Sequence, residues 1–143
     1  MTFLLDVNVL FILHQPAHTD FGLVSRWFGR GKRLRFATCP MTQAGMLRLL
    51  TQRIADLDLF RIDEAVEVLR NLVRHPGHVH WPDIPPYLEA TAPLVKRMQG
   101  HRQIADAYLL GLARHHHGRL ATLDKAILSL AGLEFSDLVE LIA

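Results

Sequence analysis

The sequence predicts an α/β fold, a mainly parallel sheet covered by helices on both faces. Two observations carry this. Short apolar runs alternate with longer stretches whose apolar residues recur at the 3.6-residue period, the pattern of strand–helix–strand units. Half of the 143 residues are hydrophobic, enough for the core of a single domain spanning 1–143.

The elements follow in order. Residues 2–6 read as a buried strand and 7–14 as a short apolar helix, which Pro16 breaks. Residues 18–28 suit an amphipathic helix, with Phe21, Val24 and Phe28 at helical spacing and Gly29 and Gly31 as stops. A second strand covers 33–39. Pro40 ends it, and Thr42 is placed to cap a helix over 43–52. A helix over 63–74 sets Ala65, Val66, Leu69 and Val73 on one face, before a turn at Pro76-Gly77. Residues 78–81 form a short strand, and Pro82, Pro85 and Pro86 set the start of a helix reaching Met98. The strongest helical pattern is 103–116, where Ile104, Tyr108, Leu109, Leu112 and Ala113 share a stripe that Gly118 closes. A strand over 119–123, a short helix over 125–130 and an edge strand over 138–142 complete the chain.

Composition narrows the function classes. No apolar stretch approaches the ~20 residues of a membrane span, and no secretory signal opens the chain. The single cysteine, Cys39, excludes an internal disulfide framework and fits a reducing cytoplasm. Its neighbourhood has no Cys-His spacing for zinc, so it reads as a buried strand residue. Gly-rich phosphate loops and nucleophile elbows are missing, which argues against nucleotide-dependent phosphoryl transfer, dinucleotide chemistry and serine hydrolysis. The net charge of +2 is mildly basic. Its densest cluster, Arg26, Arg30, Lys32, Arg33 and Arg35, reads either as a track for a phosphate backbone or as a solvated turn. Trp27 and Phe28 within it read as core residues.

Three aspartates carry the chemistry. Asp6 ends the run Phe3-Leu4-Leu5, Asp124 ends Leu120-Ala-Thr-Leu, and Asp106 lies in the first turn of the strongest helix. In an open α/β sheet such positions line one crevice at the carboxyl ends of the strands. Carboxylates gathered there repel one another and persist best around a divalent cation such as Mg²⁺ or Mn²⁺. Asn8 and Thr122 are polar neighbours able to hold the loops or a metal-bound water. Each aspartate alone is equally a turn former or helix cap. The metal reading requires all three to meet.

These residues resemble a known family. Leu-Leu-Asp6-Val-Asn8-Val-Leu, Cys-Pro-Met-Thr42-Gln43-Ala-Gly-Met-Leu-Arg48, Ile-Ala-Asp106-Ala-Tyr-Leu-Leu and Leu-Ala-Thr122-Leu-Asp124-Lys occur in order over nearly the whole chain. Together they are similar to PIN-domain ribonucleases, specifically the VapC toxins of toxin–antitoxin modules. The resemblance implies a PIN-like α/β/α sandwich and endonucleolytic cleavage of RNA at an acidic site holding one or two Mg²⁺ or Mn²⁺ ions. It also implies a cognate VapB-type antitoxin and a homodimer. Asp6, Asp106 and Asp124 match the metal-binding acids, Asn8 and Thr122 the supporting polar positions, and Arg48 a frequent arginine facing pocket or antitoxin.

One departure stands out. The family commonly has glutamate where this chain has Gln43, nearly isosteric but neutral. Three readings stay open: a one-metal site with Gln43, recruitment of another acid such as Glu89 or Asp83, or an alteration that blunts activity. An RNA- or antitoxin-binding module with weakened catalysis is the alternative function. A haloacid-dehalogenase-like phosphatase is disfavoured, because Asn8 stands where that chemistry needs a second acid.

The histidines read as secondary. His78 and His80 share a face of an edge strand but lack further ligands. His115, His116 and His117 suit a helix C-terminus as cations. His101 reads as a helix cap, with a phosphate contact as the competing role. The helices between residues 7 and 60 hold more apolar residues than one core face needs, which marks them as the surface for antitoxin and dimer contacts.

Overall fold

The computed structural model describes residues 1–30 and 34–143. Five strands form one parallel sheet in the order β3-β2-β1-β4-β5, with β1 Thr2–Leu5, β2 Arg35–Thr38, β3 His78–His80, β4 Arg119–Thr122 and β5 Val139–Leu141. The register sets Leu4 opposite Ala37 and Leu120. Side chains alternate across the sheet, so neighbouring residues feed different cores. Leu4, Ala37 and Leu120 belong to one, Leu5, Phe36 and Ala121 to the other, and all six are fully buried.

Helices α1 Val7–Ile12, α2 Phe21–Phe28, α3 Pro40–Leu50 and α4 Ile62–Val73 cover the Leu5 face. Helices α5 Tyr87–Thr91, α6 Ile104–His115 and α7 Lys125–Ala131 cover the Leu4 face. This is the α/β/α sandwich the sequence predicts. The apolar surplus of α1 is absorbed internally: Val9, Leu10, Phe11 and Ile12 are all buried. Apolar side chains reach solvent elsewhere, at Ile62, Ile84, Leu88 and Leu133. Over 7–60 the apolar residues of α1 are therefore core, while Phe21, Leu23, Leu47 and Leu49 are only partly buried and Leu59 is exposed.

Several boundaries differ from expectation for identifiable reasons. Helix α2 starts at Phe21, not residue 18, because the His18 ring accepts the Asp20 N–H (3.0 Å) in a local turn. Helix α3 starts at Pro40, its preset φ suiting a first helical position. Thr42 is thus inside the helix, its hydroxyl accepting the Cys39 N–H at 3.0 Å. The helix expected to reach Met98 stops at Thr91, since Pro93 lacks the N–H to continue it. On α4 the fully packed residues are Ala65 and Leu72, while Val73 is 37% exposed. Trp27 is buried and Phe28 half-buried, as expected of core residues. The expectations for Gly31, Lys32 and Arg33 lie outside the described residues.

Two contacts hold the frame on which the acids sit. Buried Gln15 clamps the α3–α4 connection, donating to Asp58 O (3.0 Å) and accepting from Asp58 N–H (2.9 Å). Gly111 lets α6 lie directly on α5, where an added Cβ would collide with the Ala90 carbonyl. Gly111→Ala is therefore expected to destabilise the protein by about 1–3 kcal/mol through overpacking, although alanine is the better helix former. Thermal denaturation reads this, and an unchanged or raised Tm would show that the two helices do not meet so closely.

Candidate active site

The sheet reverses its winding between β1 and β4. From β1 the chain moves outward through β2 to β3, then returns to β4 and moves outward the other way to β5. Such a switch point opens a crevice at the carboxyl ends of the two strands. Asp6 follows β1 there, and Asp124 stands two residues past β4. Asp106 is in the first turn of α6.

Thr122, fully buried, joins the first two. Its hydroxyl donates to Asp6 Oδ2 at 2.7 Å and accepts the Asp124 N–H at 3.0 Å. Asp6 also accepts the Val7 N–H on Oδ1 (2.8 Å) and thereby caps α1, while its own N–H pairs with Ala121 O across the sheet (3.0 Å). Asp124 caps α7 by accepting the Ala126 N–H at 2.9 Å. The capping reading thus holds for both aspartates. It does not exhaust them, because each carboxylate oxygen keeps a second lone pair.

The electrostatics gather the third acid to the other two. Burial pushes the Asp106 carboxyl up to about 6, with the charges of Asp6 and Asp124 adding to it. Burial also raises Asp6, against the lowering bonds from Thr122 and Val7, and Asp124 raises it further. Mutual repulsion of this kind is what a cation relieves. Among the described residues, no three His, Cys, Asp or Glu side chains form a ready-made metal cage. The donor set is all carboxylate oxygen, which suits a hard ion that keeps several waters, as Mg²⁺ does. A soft or tetrahedral ion is a poorer match. The residues present therefore fit a hydrated divalent cation.

The other expected residues scatter. Asn8 is exposed on the first turn of α1, and Arg48 is exposed near the end of α3. Gln43 turns toward β3: its amide nitrogen donates to the buried Thr38 hydroxyl at 2.9 Å, and that oxygen is 2.7 Å from His78 Nε2. Neither acid named as a replacement is among the groups that shift Asp106. Asp83 acts on Cys39 and Tyr108, and Glu89 faces a cleft with Arg114 and His115. His101 is exposed in a short 3-10 turn before α6, and Gln103, not His101, takes the cap position.

The expectation for His116 is corrected. It stacks on Trp81 at 4.3 Å, and burial with its two histidine neighbours lowers its pKa, so this site disfavours the cation that a helix end invites. Thr38 and His78 are the polar pair that sequence reasoning missed. Forty residues separate them, and only the pairing of β2 with β3 brings them together.

Comparison with known proteins follows the same lines. No family model matches the chain. Ribonuclease VapC29 of Mycobacterium tuberculosis is 38% identical over 132 residues, covering 92% of this chain and 92% of that protein. Ribonuclease VapC39 of the same organism is 35% identical over 127 residues, 89% of this chain and 91% of the relative. Ribonuclease VapC38, also from M. tuberculosis, is 36% identical over 128 residues, 90% of this chain and 89% of the relative. In fold, the chain is similar to FitAcB from Neisseria gonorrhoeae, with a TM-score of 0.61 at 17% identity over 92% of this chain and 93% of that one.

Proposed function

The chain belongs to the VapC family of ribonucleases, and on that premise we propose that it cleaves RNA endonucleolytically as the toxin of a toxin–antitoxin pair, using Mg²⁺ or Mn²⁺. Asp6, Asp106 and Asp124 are the residues assigned to hold the ion. One observation supports this above the others: the buried Thr122 hydroxyl ties Asp6 (2.7 Å) to the Asp124 backbone (3.0 Å), and Asp106, raised chiefly by burial, is raised further by the charges of both.

A bound divalent cation supplies charge neutralisation at phosphate and a more acidic water. The chain's own residues supply the frame. Thr122 directs its proton to Asp6 and so keeps that carboxylate from rotating, while the same oxygen fixes the start of α7 and with it Asp124. Asp106, held up to about 6 chiefly by burial, takes back a proton more readily than an ordinary aspartate. Gln43, held by Thr38, adds no charge, which favours a one-metal site. We assign exposed Arg48, Arg26, Arg30 and Arg35 to phosphate or antitoxin contacts. The relatives all carry the name ribonuclease, so the non-catalytic alternative is not favoured. Family membership supports a VapB-type antitoxin and a homodimer as partners. Among the described residues no helix is long and apolar enough to cross a membrane, and we assign the chain to the cytoplasm.

The direct test incubates the purified chain with a mixed RNA pool in Mg²⁺ or Mn²⁺ and, separately, in chelator. Fragments are expected with metal, none with chelator, and fragments again on metal re-addition. Intact RNA with both ions would overturn the assignment.

A further inference from the structure

We propose that the groove between α3, α4 and β3 is a subsite that reads one base of single-stranded RNA close to the cut. This deepens the ribonuclease reading and rests on it. The groove has a volume of about 530 Å³, within the range of small-ligand sites. Val66, Leu69 and Val73 give it an apolar side, and Gln43, His78 and His80 a polar one.

Position comes from the sheet. All strands are parallel, so β2 and β3 end, at Thr38 and His80, on the same edge as Asp6 and Asp124. β3 is two strands from β1, a separation of about 10 Å at the usual strand spacing. At ~3.4 Å per stacked nucleotide, this is within about three nucleotides of Asp6.

Chemistry selects the occupant. Proteins that read single-stranded RNA splay a base out, stack it on an aromatic or imidazole ring and hydrogen-bond its edges. Thr38 takes one amide hydrogen of Gln43 and holds His78 through Nε2. What remains on offer is the Gln43 carbonyl oxygen, its second N–H and His78 Nδ1, a preset mixture of donor and acceptor. His80 is exposed beside them, an imidazole face for stacking, and Arg70, ion-paired with Glu67, also lines the groove. A peptide adding to the β3 edge is less well served, because a strand of three residues offers few ladder bonds.

The test uses the purified full chain and a single-stranded RNA pool of random sequence, with the cut ends sequenced. His80→Ala and Val73→Trp remove the stacking face and fill the apolar side, and both positions are exposed enough to leave the core intact. Both variants are expected to cut the pool, with base preference at one position within about three nucleotides of the cut falling by about fivefold or more. Preferences identical to wild type at every position would overturn the subsite. Imidazole NMR signals of His78 and His80, followed while random hexanucleotides are added in chelator, separate this idea from the nuclease reading. Shifts in chelator, together with intact RNA in Mg²⁺ and Mn²⁺, would retain the subsite and sink the activity. Signals that stay still with RNA, or move only with a partner peptide, would overturn the subsite itself.

Discussion

Asp6→Asn is expected to lower the rate of RNA cleavage by about 10²–10⁴-fold, the loss of several kcal/mol of charge stabilisation at a metal-assisted site. Asn preserves the shape of the side chain and one carbonyl oxygen. That oxygen can still accept the Val7 N–H, so the cap on α1 survives at least in part. What disappears is the negative charge and one of two acceptors, including the partner of the Thr122 hydroxyl. Folding should change little. Burial already disfavours the ionised form of Asp6, so a neutral residue there relieves desolvation while it loses a hydrogen bond. Initial rates on a defined RNA at fixed Mn²⁺, with Tm measured beside them, separate the two effects. Equal cleavage by both proteins would remove Asp6 from the site. A collapse of Tm in parallel with activity would show its role to be the cap.

Much of this was legible before any coordinates, for reasons specific to each element. Leu4-Leu5-Asp6 and Leu120 to Asp124 announce strands because a parallel sheet is buried on both faces and its strands run apolar. The aspartates that end them are visible because a strand must end, and the helix that follows needs a cap. Thr122 was legible as a polar neighbour. That it joins Asp6 to Asp124 depends on β1 lying beside β4, a pairing no local pattern encodes. The Gln43–Thr38–His78 chain was invisible for the same reason: Thr38 reads as one more strand residue until β3 is placed next to β2. His116 misled because helix-end electrostatics, worth roughly 0.3–1 kcal/mol, gave way to stacking on Trp81. The apolar residues of α1 misled because a short helix caught between the sheet and two other helices needs no solvated face.

Asp106→Asn is expected to raise the thermal stability of the metal-free protein at pH 7 while removing its activity. In the folded, metal-free chain Asp106 keeps its proton up to about pH 6, against an ordinary value of 3.8. Between those values the folded state binds a proton that the unfolded state has lost. The stabilising share of that proton is complete below about 4 and is lost as pH rises through about 6. Wild-type protein in chelator should therefore be less stable at pH 7 than at pH 5 as far as this group is concerned, with Asp6 pushing the same way. A neutral Asn is indifferent to that change. Asp106 is only half-buried, so the full shift is discounted to about 1 kcal/mol, or about 3 °C in Tm. Added Mg²⁺ inverts the comparison. The ion is expected to bind the wild-type acids and raise Tm by mass action, with less to hold in Asp106→Asn. Because bound metal must displace the Asp106 proton, apparent Mg²⁺ affinity should fall about tenfold per pH unit below about 6. Scanning calorimetry at pH 5 and pH 7, in chelator and in Mg²⁺, reads all of this. If Asn lowered Tm in chelator at pH 7, burial and the neighbouring acids would not be penalising the ionised Asp106, and the proton linkage argued here would fall.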